Sequence, residues 1–311
     1  MRIVVVGAGA VGGYFGVMLA NAGHQVAFVA RGAQLAAIRD KGLRLTGPRG
    51  DFGTGPCEAS DEPAELGRAD VVLFCVKLYD TEAAGRQLAP LLKDGGVCIS
   101  LQNGVDAVER LSPILGAGQV MGGLAYCSGV IAEPGLIRYV SQMSSIVYGE
   151  NDGSLSPRAL AFQAACESAG FKAEVSRDIR ASQWGKFVAL STNAAMSCVV
   201  RQPAGIVYHT PETTEMAMRG FAEVAAVARK QGIAIAPDAE QRALAQHRGF
   251  PPDMYASMYH DLRLGKRLEL EGLSGVVVRK GAELGVPTPV HAFARAVLLP
   301  YLNGTPELPK Q

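Results

Sequence analysis

A glycine-rich turn near the start of the chain has the spacing that binds the diphosphate of a dinucleotide. The turn consists of Gly7, Ala8, Gly9, Ala10, Val11 and Gly12. In such a turn the first glycine permits a tight bend, the second lets the backbone approach the diphosphate, and the third lets helix and strand pack closely. The apolar run before it and the helical pattern after it place the turn at a helix N-terminus, which attracts anions. We therefore predict a dinucleotide site here.

Arg31 follows the second apolar run, where the ribose of a bound dinucleotide is recognised. A site that prefers NAD usually carries Asp or Glu there, because a carboxylate accepts hydrogen bonds from the ribose hydroxyls. A guanidinium accepts none, but it pairs with a 2′-phosphate and stacks on adenine. A solvated arginine at the start of a loop is the alternative. Because Arg31 accompanies a glycine turn of the dinucleotide-binding type, we favour NADP as the cofactor.

Lys77 and Asn103 each follow a run that is predicted to be a buried parallel strand. The carboxyl ends of parallel strands meet at one edge of an open sheet, where such sheets bind ligands. A lone lysine after a strand is commonly solvated, and Asn103-Gly104 alone is commonly only a turn. Because both residues fall at the same edge as the glycine turn, we predict that they bind the cofactor.

Lys186 is a single cation within the otherwise apolar segment 184–190. Helical spacing puts it on one face with Leu190, Asn193 and Ser197. A lysine at a helix edge commonly extends its ammonium into water. A desolvated lysine instead has a lowered pKa and can act as a general acid. Both interpretations stay open on spacing alone.

Glu269 and Ser257 are the other polar candidates in the second half of the chain. Glu269 is predicted near the N-terminus of a long helix over residues 268–284, where the helix dipole favours a carboxylate. Capping alone would explain that position. Ser257 could likewise only stabilise its own helix.

Strand-like and helical patterns alternate through the first half of the chain. Strands are predicted over residues 3–6, 25–30, 71–76 and 97–100, with helices over residues 11–22 and 78–93. Short strands are then predicted over residues 119–150, with a helix over residues 156–169 and a last strand over residues 171–175. Apolar strands alternating with helices indicate an α/β fold, whose parallel sheet is doubly wound and covered on both faces.

Beyond residue 178 the strand signals largely stop. Helices are predicted over residues 179–199, 212–231, 237–246, 252–263 and 268–284. Glycine and proline breaks separate these segments. We therefore predict two domains, a dinucleotide-binding domain over residues 1–177 and an all-helical domain over residues 178–311.

The composition is that of an ordinary globular protein. Hydrophobic residues make up 48% of the chain and charged residues 19%, with 30 basic and 29 acidic side chains. Without a basic run, nucleic acid is not an expected partner. The uncharged residues 3–30 are too rich in glycine for a membrane helix or a signal peptide, so no membrane association is expected. A small diffusing substrate suits the near-neutral charge.

Cysteine and histidine usage points away from metal binding. The six cysteines and five histidines are scattered singly, so no metal is expected. Scattered cysteines are typical of a reduced, cytoplasmic protein. The apolar helices of the second half could pack a core or support a homodimer, and the sequence does not distinguish the two.

Taken together, these residues resemble the ketopantoate reductase (2-dehydropantoate 2-reductase) family, in order and over nearly the whole chain. The resemblance rests on the turn at 7–12, Arg31-Gly32, Lys77, Gln102-Asn103-Gly104, Trp184-x-Lys186, Ser257-Met258-x-x-Asp261, Gly265-x-x-x-Glu269 and Gly285-Val286-Pro287-x-Pro289. It implies a Rossmann domain joined to a helical domain that carries substrate and catalytic residues, with the active site in the cleft between them.

The resemblance also implies a role for each candidate residue. Lys186 would bind the substrate and act as the general acid, protonating its oxygen while the nicotinamide gives hydride to the C2 carbonyl. Asn103 would hold the nicotinamide ribose and the substrate, and Glu269 would order the cofactor, the substrate and Lys186. Ser257 would bind the substrate carboxylate. Negative charge builds on oxygen during hydride addition, so a nearby ammonium favours the reaction.

The chain departs from the family pattern in the substrate pocket. Leu190, Ala194, Ala204 and Met254 stand where well-studied members carry asparagines. Losing hydrogen-bonding groups from a pocket can change substrate discrimination by orders of magnitude. Asn193, on the same helical face as the lysine, is the candidate to replace one of these amides as a substrate-binding residue.

Several functions are compatible with this pattern. The first is NADPH-dependent reduction of a 2-oxo acid to a 2-hydroxy acid, with ketopantoate as the family's default substrate. A second is the same reaction on a different, more hydrophobic 2-oxo acid. A third is a non-catalytic NADPH-binding sensor, which would not need an intact general acid. An unrelated Rossmann enzyme, such as an imine reductase, is a further alternative.

Overall fold

The computed structural model describes residues 1–140, 142 and 144–306. The chain divides into two units, Met1–Arg180 and Ala181–Gln311. Residues 307–311, at the end of the expected helical domain, lie outside the described part. The first unit combines helices with a largely parallel sheet and the second is helical, so the predicted fold class is confirmed.

The strands of the first unit form two separate sheets. They are β1 (Arg2–Val6), β2 (Gln25–Val29), β3 (Arg44–Thr46), β4 (Phe52–Gly53), β5 (Ala59–Ser60), β6 (Ala69–Phe74), β7 (Leu92–Ser100), β8 (Val120–Tyr126), β9 (Gly129–Glu133), β10 (Leu136–Tyr139), β11 (Ser145–Gly149) and β12 (Lys172–Val175). The main sheet has the order β12-β11-β8-β7-β6-β1-β2-β5, and the second has the order β4-β3-β10-β9.

β1 lies in the interior of the main sheet, in parallel pairing with β2 on one side and β6 on the other. Ile3 and Val5 belong to the hydrophobic core on one face, while Val4 and Val6 belong to the core on the opposite face. A strand that is buried on both faces needs an apolar residue at every position, and the run from Ile3 to Val6 supplies them. The two cores are what the doubly wound arrangement predicts.

Five helices accompany these strands. They are α1 (Ala10–Asn21), α2 (Gly32–Lys41), α3 (Thr81–Gly85), α4 (Ala107–Leu115) and α5 (Pro157–Ser168). The sequence predicted α1 and α5 to within one residue at each end. α5 has a clear start signal, since Pro157 is its first residue and Ser156 Oγ accepts the N–H of Ala159 at 3.3 Å. α2 has no such signal, because its N-cap residue makes no side-chain capping bond.

The predicted helix over residues 78–93 is wrong. The segment contains a 3-10 turn at Leu78–Asp80, the short α3, a second 3-10 turn at Ala89–Leu91 and the first residues of β7. Pro90 has no N–H to donate and disfavours helical backbone at the residue before it, which opposes a continuous helix here. β7 therefore starts at Leu92, well before the predicted residue 97.

The second sheet joins chain segments that are distant in sequence. β10 pairs in parallel with β3 and antiparallel with β9. This sheet packs on α1, where a Cβ at Gly13 would collide with Ile137 and where the rings of Tyr14 and Tyr139 lie 5.3 Å apart. The strands predicted within residues 119–150 therefore divide between two sheets, which their spacing did not indicate.

The second unit consists of helices. They are α6 (Ile179–Val200, beginning at the end of the first unit), α7 (Ala204–Val207), α8 (Pro211–Lys230), α9 (Ala239–Arg248), α10 (Ser257–Arg263), α11 (Ser274–Leu284) and α12 (Pro289–Leu298). Among the described residues, no strand follows Val175. The patterns at residues 179–199 and 212–231 predicted α6 and α8 closely, whereas α7 and α12 were not predicted.

Two helices begin later than their patterns suggested. α10 starts at Ser257 instead of residue 252, because the carbonyl oxygen of Pro252 accepts the N–H of Gly205 at 2.9 Å and is held outside a helix. α11 starts at Ser274 instead of residue 268. Leu273, with φ −110° and ψ −91°, separates it from the 3-10 turn at Leu270–Gly272.

A buried carboxylate fixes the start of α12. Glu223, on α8, accepts the backbone N–H of Val290 at 2.7 Å and that of His291 at 3.0 Å. A helix leaves its first N–H groups without partners, and Glu223 satisfies two of them. Burial raises the pKa of Glu223, and the two N–H bonds oppose that rise. The His291 ring is also buried, with Thr192 and Ser274 each at 3.3 Å.

Replacing this carboxylate is expected to destabilise the second unit. Glu223→Ala leaves the N–H groups of Val290 and His291 buried without partners, which should lower the free energy of unfolding by about 2 kcal/mol. Urea denaturation followed by circular dichroism measures the change. Glu215→Ala is the matched control, since Glu215 pairs with Arg219 at an exposed site, and its loss should cost about 0.5 kcal/mol or less. Equal losses in the two variants would contradict the capping role.

Candidate active site

Loops that follow four neighbouring strands carry the candidate residues of the first unit. Arg31 follows β2, the glycine turn follows β1, Lys77 follows β6 and Asn103 follows β7. These strands are adjacent in the order β7-β6-β1-β2 and run in parallel, so their loops lie side by side at one edge of the sheet. At about 4.8 Å per strand spacing, the row is about 14 Å long. The structure thus brings these four predicted positions together.

The glycine turn is closed at its ends and open in its middle. Gly7 has φ +99°, and a Cβ there would lie 2.9 Å from the backbone carbonyl of Cys75. A Cβ at Gly12 would collide with the carbonyl oxygen of Gly7. In contrast, a Cβ at Gly9 would meet no described atom within 4 Å. The turn therefore has free space at the glycine that a diphosphate would approach most closely.

The start of α1 suits an anion. Gly9 is its N-cap with an extended backbone, and its first turn is made of alanine, valine and glycine. The first N–H groups of a helix have no partners within it, and the helix dipole adds positive potential at that end. The first turn of α1 carries no carboxylate that would oppose this potential. The residues present therefore fit a bound diphosphate.

Arg31 and Gln34 flank this turn. Arg31 is exposed at the N-cap of α2, so a ligand can reach its guanidinium. Gln34 Nε2 donates to the carbonyl oxygen of Ala8 at 2.9 Å, and its Oε1 accepts the N–H of Gly135 at 2.9 Å. Gln34 was not predicted, since one glutamine three residues after an arginine forms no recognisable motif.

Gln102 ties the loops of Lys77 and Asn103 together. Its Nε2 donates to the carbonyl oxygen of Val76 at 3.0 Å and to Thr81 Oγ1 at 2.9 Å. The side chain is 5% exposed, so water does not compete for these bonds. Lys77 and Asn103 themselves are half-buried. Gln102 belongs to the Gln102-Asn103-Gly104 motif, from which the sequence predicted a role for Asn103 alone.

Lys186 lies on α6 in a stretch whose neighbouring aromatic side chains are buried. Trp184 and Phe187 are both buried, and their rings are 5.6 Å apart. Lys186 keeps part of its surface accessible, yet the surrounding protein desolvates the ammonium and lowers its pKa to about 8. A lysine with that pKa exchanges protons near neutral pH. Of the two interpretations of Lys186, the structure favours the desolvated one.

Asn193, on the same helix, is engaged within the second unit. Its Oδ1 accepts the hydroxyl of Tyr208 at 2.9 Å and that of Ser197 at 3.3 Å. Tyr208 in turn stacks on the ring of His247, with centroids 4.6 Å apart. A substrate at Asn193 would therefore have to meet its amide nitrogen.

Two of the four residues that replace the family's asparagines, Ala204 and Met254, lie close together. Ala204 donates its N–H to the carbonyl oxygen of Met254 at 2.8 Å, and Gly205 beside it packs against Pro252. Ala204 is also the residue whose carbonyl oxygen accepts the N–H of Tyr208. The segments that carry these apolar replacements thus form one local structure.

Glu269 does not lie at a helix N-terminus as predicted. It is buried immediately before the 3-10 turn at Leu270–Gly272, and α11 begins only at Ser274. Capping of a long helix therefore does not explain this carboxylate. Ser257 is the first residue of α10 and is exposed.

The described residues contain no group of three or more His, Cys, Asp or Glu side chains that is arranged to hold a metal ion. In the same part of the chain, no helix combines the length and apolarity needed to cross a bilayer.

Two family models match the chain over most of its length. The model described as ketopantoate reductase PanE/ApbA matches residues 3–153, and the model described as ketopantoate reductase PanE/ApbA C terminal matches residues 178–300. The chain belongs to the ketopantoate reductase family. The resemblance inferred from the sequence is thereby confirmed. As a family member, the chain is an oxidoreductase that interconverts a carbonyl and a hydroxyl group and binds a nicotinamide cofactor.

Individual relatives agree with this assignment. A 2-dehydropantoate 2-reductase from Archaeoglobus fulgidus is 33% identical over 290 residues, which cover 93% of this chain and 94% of the relative. The crystal structure of a PanE/ApbA family ketopantoate reductase from Ralstonia eutropha JMP134 is 31% identical, with a TM-score of 0.89 and coverage of 97% and 98% of the two chains. D-Mandelate dehydrogenase, solved with NADH and anilino(oxo)acetate, shares the fold at 21% identity and a TM-score of 0.86.

The geometry of the glycine turn predicts opposite outcomes at two of its glycines. Gly12→Ala forces a Cβ into the carbonyl oxygen of Gly7 and should lower the free energy of unfolding by about 2 kcal/mol. Gly9→Ala, at a φ of −80°, should fold normally but weaken binding of a nicotinamide dinucleotide, because the new methyl group occupies the space beside the turn. Thermal denaturation and cofactor fluorescence measure the two effects. If the Gly9→Ala protein bound the cofactor as tightly as wild type, the diphosphate would not lie against Gly9 as proposed.

Proposed function

We propose that the protein reduces a 2-oxo acid to a 2-hydroxy acid with NADPH, and that Lys186 is the general acid. The observation that carries the proposal is the desolvated ammonium of Lys186, with its pKa of about 8, in a chain whose main sheet presents a dinucleotide turn. A non-catalytic sensor has no need of a lysine with this pKa. The reductase is therefore the better explanation.

The first unit would hold the cofactor along its row of loops. The backbone from Gly7 to Gly12 would bind the diphosphate, and Arg31 would pair with the 2′-phosphate that distinguishes NADP from NAD. Lys77 and Asn103, two and three strands away from the loop of Arg31, would contact the nicotinamide half. We assign this role to residues 1–177 and substrate binding and catalysis to residues 178–311.

Lys186 would complete the reaction by moving one proton. Bound NADPH supplies a hydride to the carbonyl carbon of the substrate. The carbonyl oxygen then gains negative charge, which the Lys186 ammonium stabilises and neutralises by transferring a proton from Nζ. The neutral lysine regains a proton from solvent after product forms. A pKa near 8 makes both transfers accessible close to neutral pH.

The remaining candidates would position the reactants. Glu269 is a buried carboxylate that helix capping does not explain, and we propose that it orders the cofactor, the substrate hydroxyl and the ammonium of Lys186. Asn103 would also contact the substrate. Ser257, exposed at the start of α10, would bind the substrate carboxylate through its hydroxyl.

The substrate pocket favours an apolar side chain. The relatives' names point to ketopantoate, a branched 2-oxo acid with a hydroxyl group. Leu190, Ala194, Ala204 and Met254 offer that hydroxyl no hydrogen bond, and the amide oxygen of Asn193 is held by Tyr208. A second candidate is therefore a 2-oxo acid of similar size whose side chain is entirely hydrocarbon.

We propose that the protein is cytoplasmic. All six cysteines are free thiols, which supports a reducing, cytoplasmic compartment.

The general acid can be tested by substitution and by pH. Lys186→Ala should lower kcat by about 10²- to 10⁴-fold while NADPH binding is retained. In wild type, the protonated lysine is the active form. The rate of reduction should therefore be constant at low pH and fall as pH rises through about 8. Steady-state oxidation of NADPH measures both effects, and the exposed Lys172 gives a control variant, Lys172→Ala, that should keep full activity.

A substrate panel decides between the candidate reactions. Ketopantoate is compared with 2-oxo acids that carry branched or aromatic hydrocarbon side chains, each assayed with NADPH. Turnover of ketopantoate alone would remove the apolar candidate. If the protein bound NADPH yet turned over no member of the panel, the reductase proposal would fail and the sensor would stand.

The cofactor preference depends on Arg31. Arg31→Ala removes the partner of the 2′-phosphate, so Kd for NADPH should rise by about tenfold or more while Kd for NADH stays nearly constant. Fluorescence titration with each cofactor measures the ratio. Arg39→Ala, on the same helix but bonded to the carbonyl oxygen of Ala59, is the control. Equal weakening of NADPH and NADH by Arg31→Ala would overturn the assignment of NADP.

A further inference from the structure

We propose that Gln34 is a positioning residue that sets the orientation of the glycine turn for the cofactor diphosphate. The inference rests on the proposed binding of a nicotinamide dinucleotide at this turn. It adds a side chain outside the Gly-x-Gly-x-x-Gly motif to the parts of the molecule that determine cofactor affinity.

The side-chain amide of Gln34 uses both of its ends. Nε2 donates to the carbonyl oxygen of Ala8 at 2.9 Å, within the glycine turn. Oε1 accepts the N–H of Gly135 at 2.9 Å, in the turn between β9 and β10. Since Gln34 lies on α2, it links the loop after β1 to the second sheet across 26 and 101 residues of sequence.

The bond to Ala8 also determines where the next N–H points. The carbonyl group of Ala8 and the N–H of Gly9 belong to one trans peptide unit, so they point in opposite directions. Holding the Ala8 oxygen toward Gln34 therefore turns the Gly9 N–H away from Gln34. Gly9 is the residue beside which the turn is open, and a diphosphate there would meet an N–H already oriented to donate.

A glycine turn needs such a restraint. Gly9 lacks a Cβ, so the peptide between Ala8 and Gly9 has more rotational freedom than it would before another residue. Rotating this peptide group would break its bond to Gln34. By keeping it in one orientation before the cofactor arrives, Gln34 lowers the ordering cost of binding.

The second anchor makes this restraint rigid. Gly135 is itself held in place, because its carbonyl oxygen accepts the N–H of Arg44 at 2.9 Å. The strand that follows the turn, β10, packs on α1 through Ile137 beside Gly13. Gln34 is thus fixed to the same sheet that supports the helix of the glycine turn.

A positioning role predicts a specific separation of effects. Gln34→Met keeps the length and neutrality of the side chain but removes both bonds. Kd should rise by about tenfold for NADPH and by the same factor for NADH, because the two cofactors share the diphosphate. The kcat at saturating NADPH should not change, since Lys186 and the substrate are untouched. Fluorescence titration and steady-state kinetics measure these quantities, with the melting temperature of the cofactor-free protein recorded alongside.

Arg39→Met is the matched control on the same helix. It removes the bond from Arg39 Nε to the carbonyl oxygen of Ala59 at 2.8 Å, which lies outside the turn, and should leave both Kd values unchanged. If Gln34→Met does not fold, Gln34→Glu replaces it. The glutamate keeps the acceptor for Gly135 and loses the donor to Ala8, and about 0.5 M salt screens its added charge. It should weaken both cofactors equally.

The outcomes separate this inference from the proposed function. A wild-type protein that binds both cofactors, with unchanged Kd values in the Gln34 variant, overturns the role of Gln34 and leaves the reductase standing. A rise in Kd for NADPH alone would assign Gln34 to the 2′-phosphate and likewise overturn it. A wild-type protein that binds neither cofactor overturns the proposed function itself.

Discussion

The parallel alignment of β2, β1, β6 and β7 is the constraint on which the cofactor end of the molecule depends. Parallel strands end at the same edge of a sheet, so the four loops that follow them must lie in a row. Each strand is buried on both faces, and a shift of one residue in its register would send every side chain to the opposite core. It would also move the loop that follows by about 3.3 Å along the strand. The packing that stabilises the sheet thus also sets the spacing of the proposed cofactor contacts.

The second unit imposes a different constraint, the desolvation of single polar groups among apolar helices. Its buried Glu223 and His291 have partners that satisfy them. Burial also removes hydration from the ammonium of Lys186 on α6 and lowers its pKa. Burial of this lysine therefore brings its proton exchange close to neutral pH.

The sequence predicted those features that depend on local pattern or on a single residue type. Apolar runs located β1 and β2, and the glycine spacing located the start of α1. Prediction from the sequence failed where tertiary contacts decide the structure. Carbonyl groups of residues 252 and 254 bond to α7 and delay α10, and β10 pairs with β3 across some ninety residues. Gln34 and Gln102 act largely through bonds to backbone atoms, which leave no spacing to recognise.

The pairing of β10 with β3 also has a consequence for biosynthesis. The face of α1 that carries Gly13 is covered by Ile137, and that residue leaves the ribosome more than a hundred residues after α1. Contacts between distant segments form slowly because a long loop must close first. A nascent chain therefore holds its first helix with one apolar face exposed until most of the first unit has been synthesised. That interval is when the young chain is most open to aggregation or to capture by a chaperone.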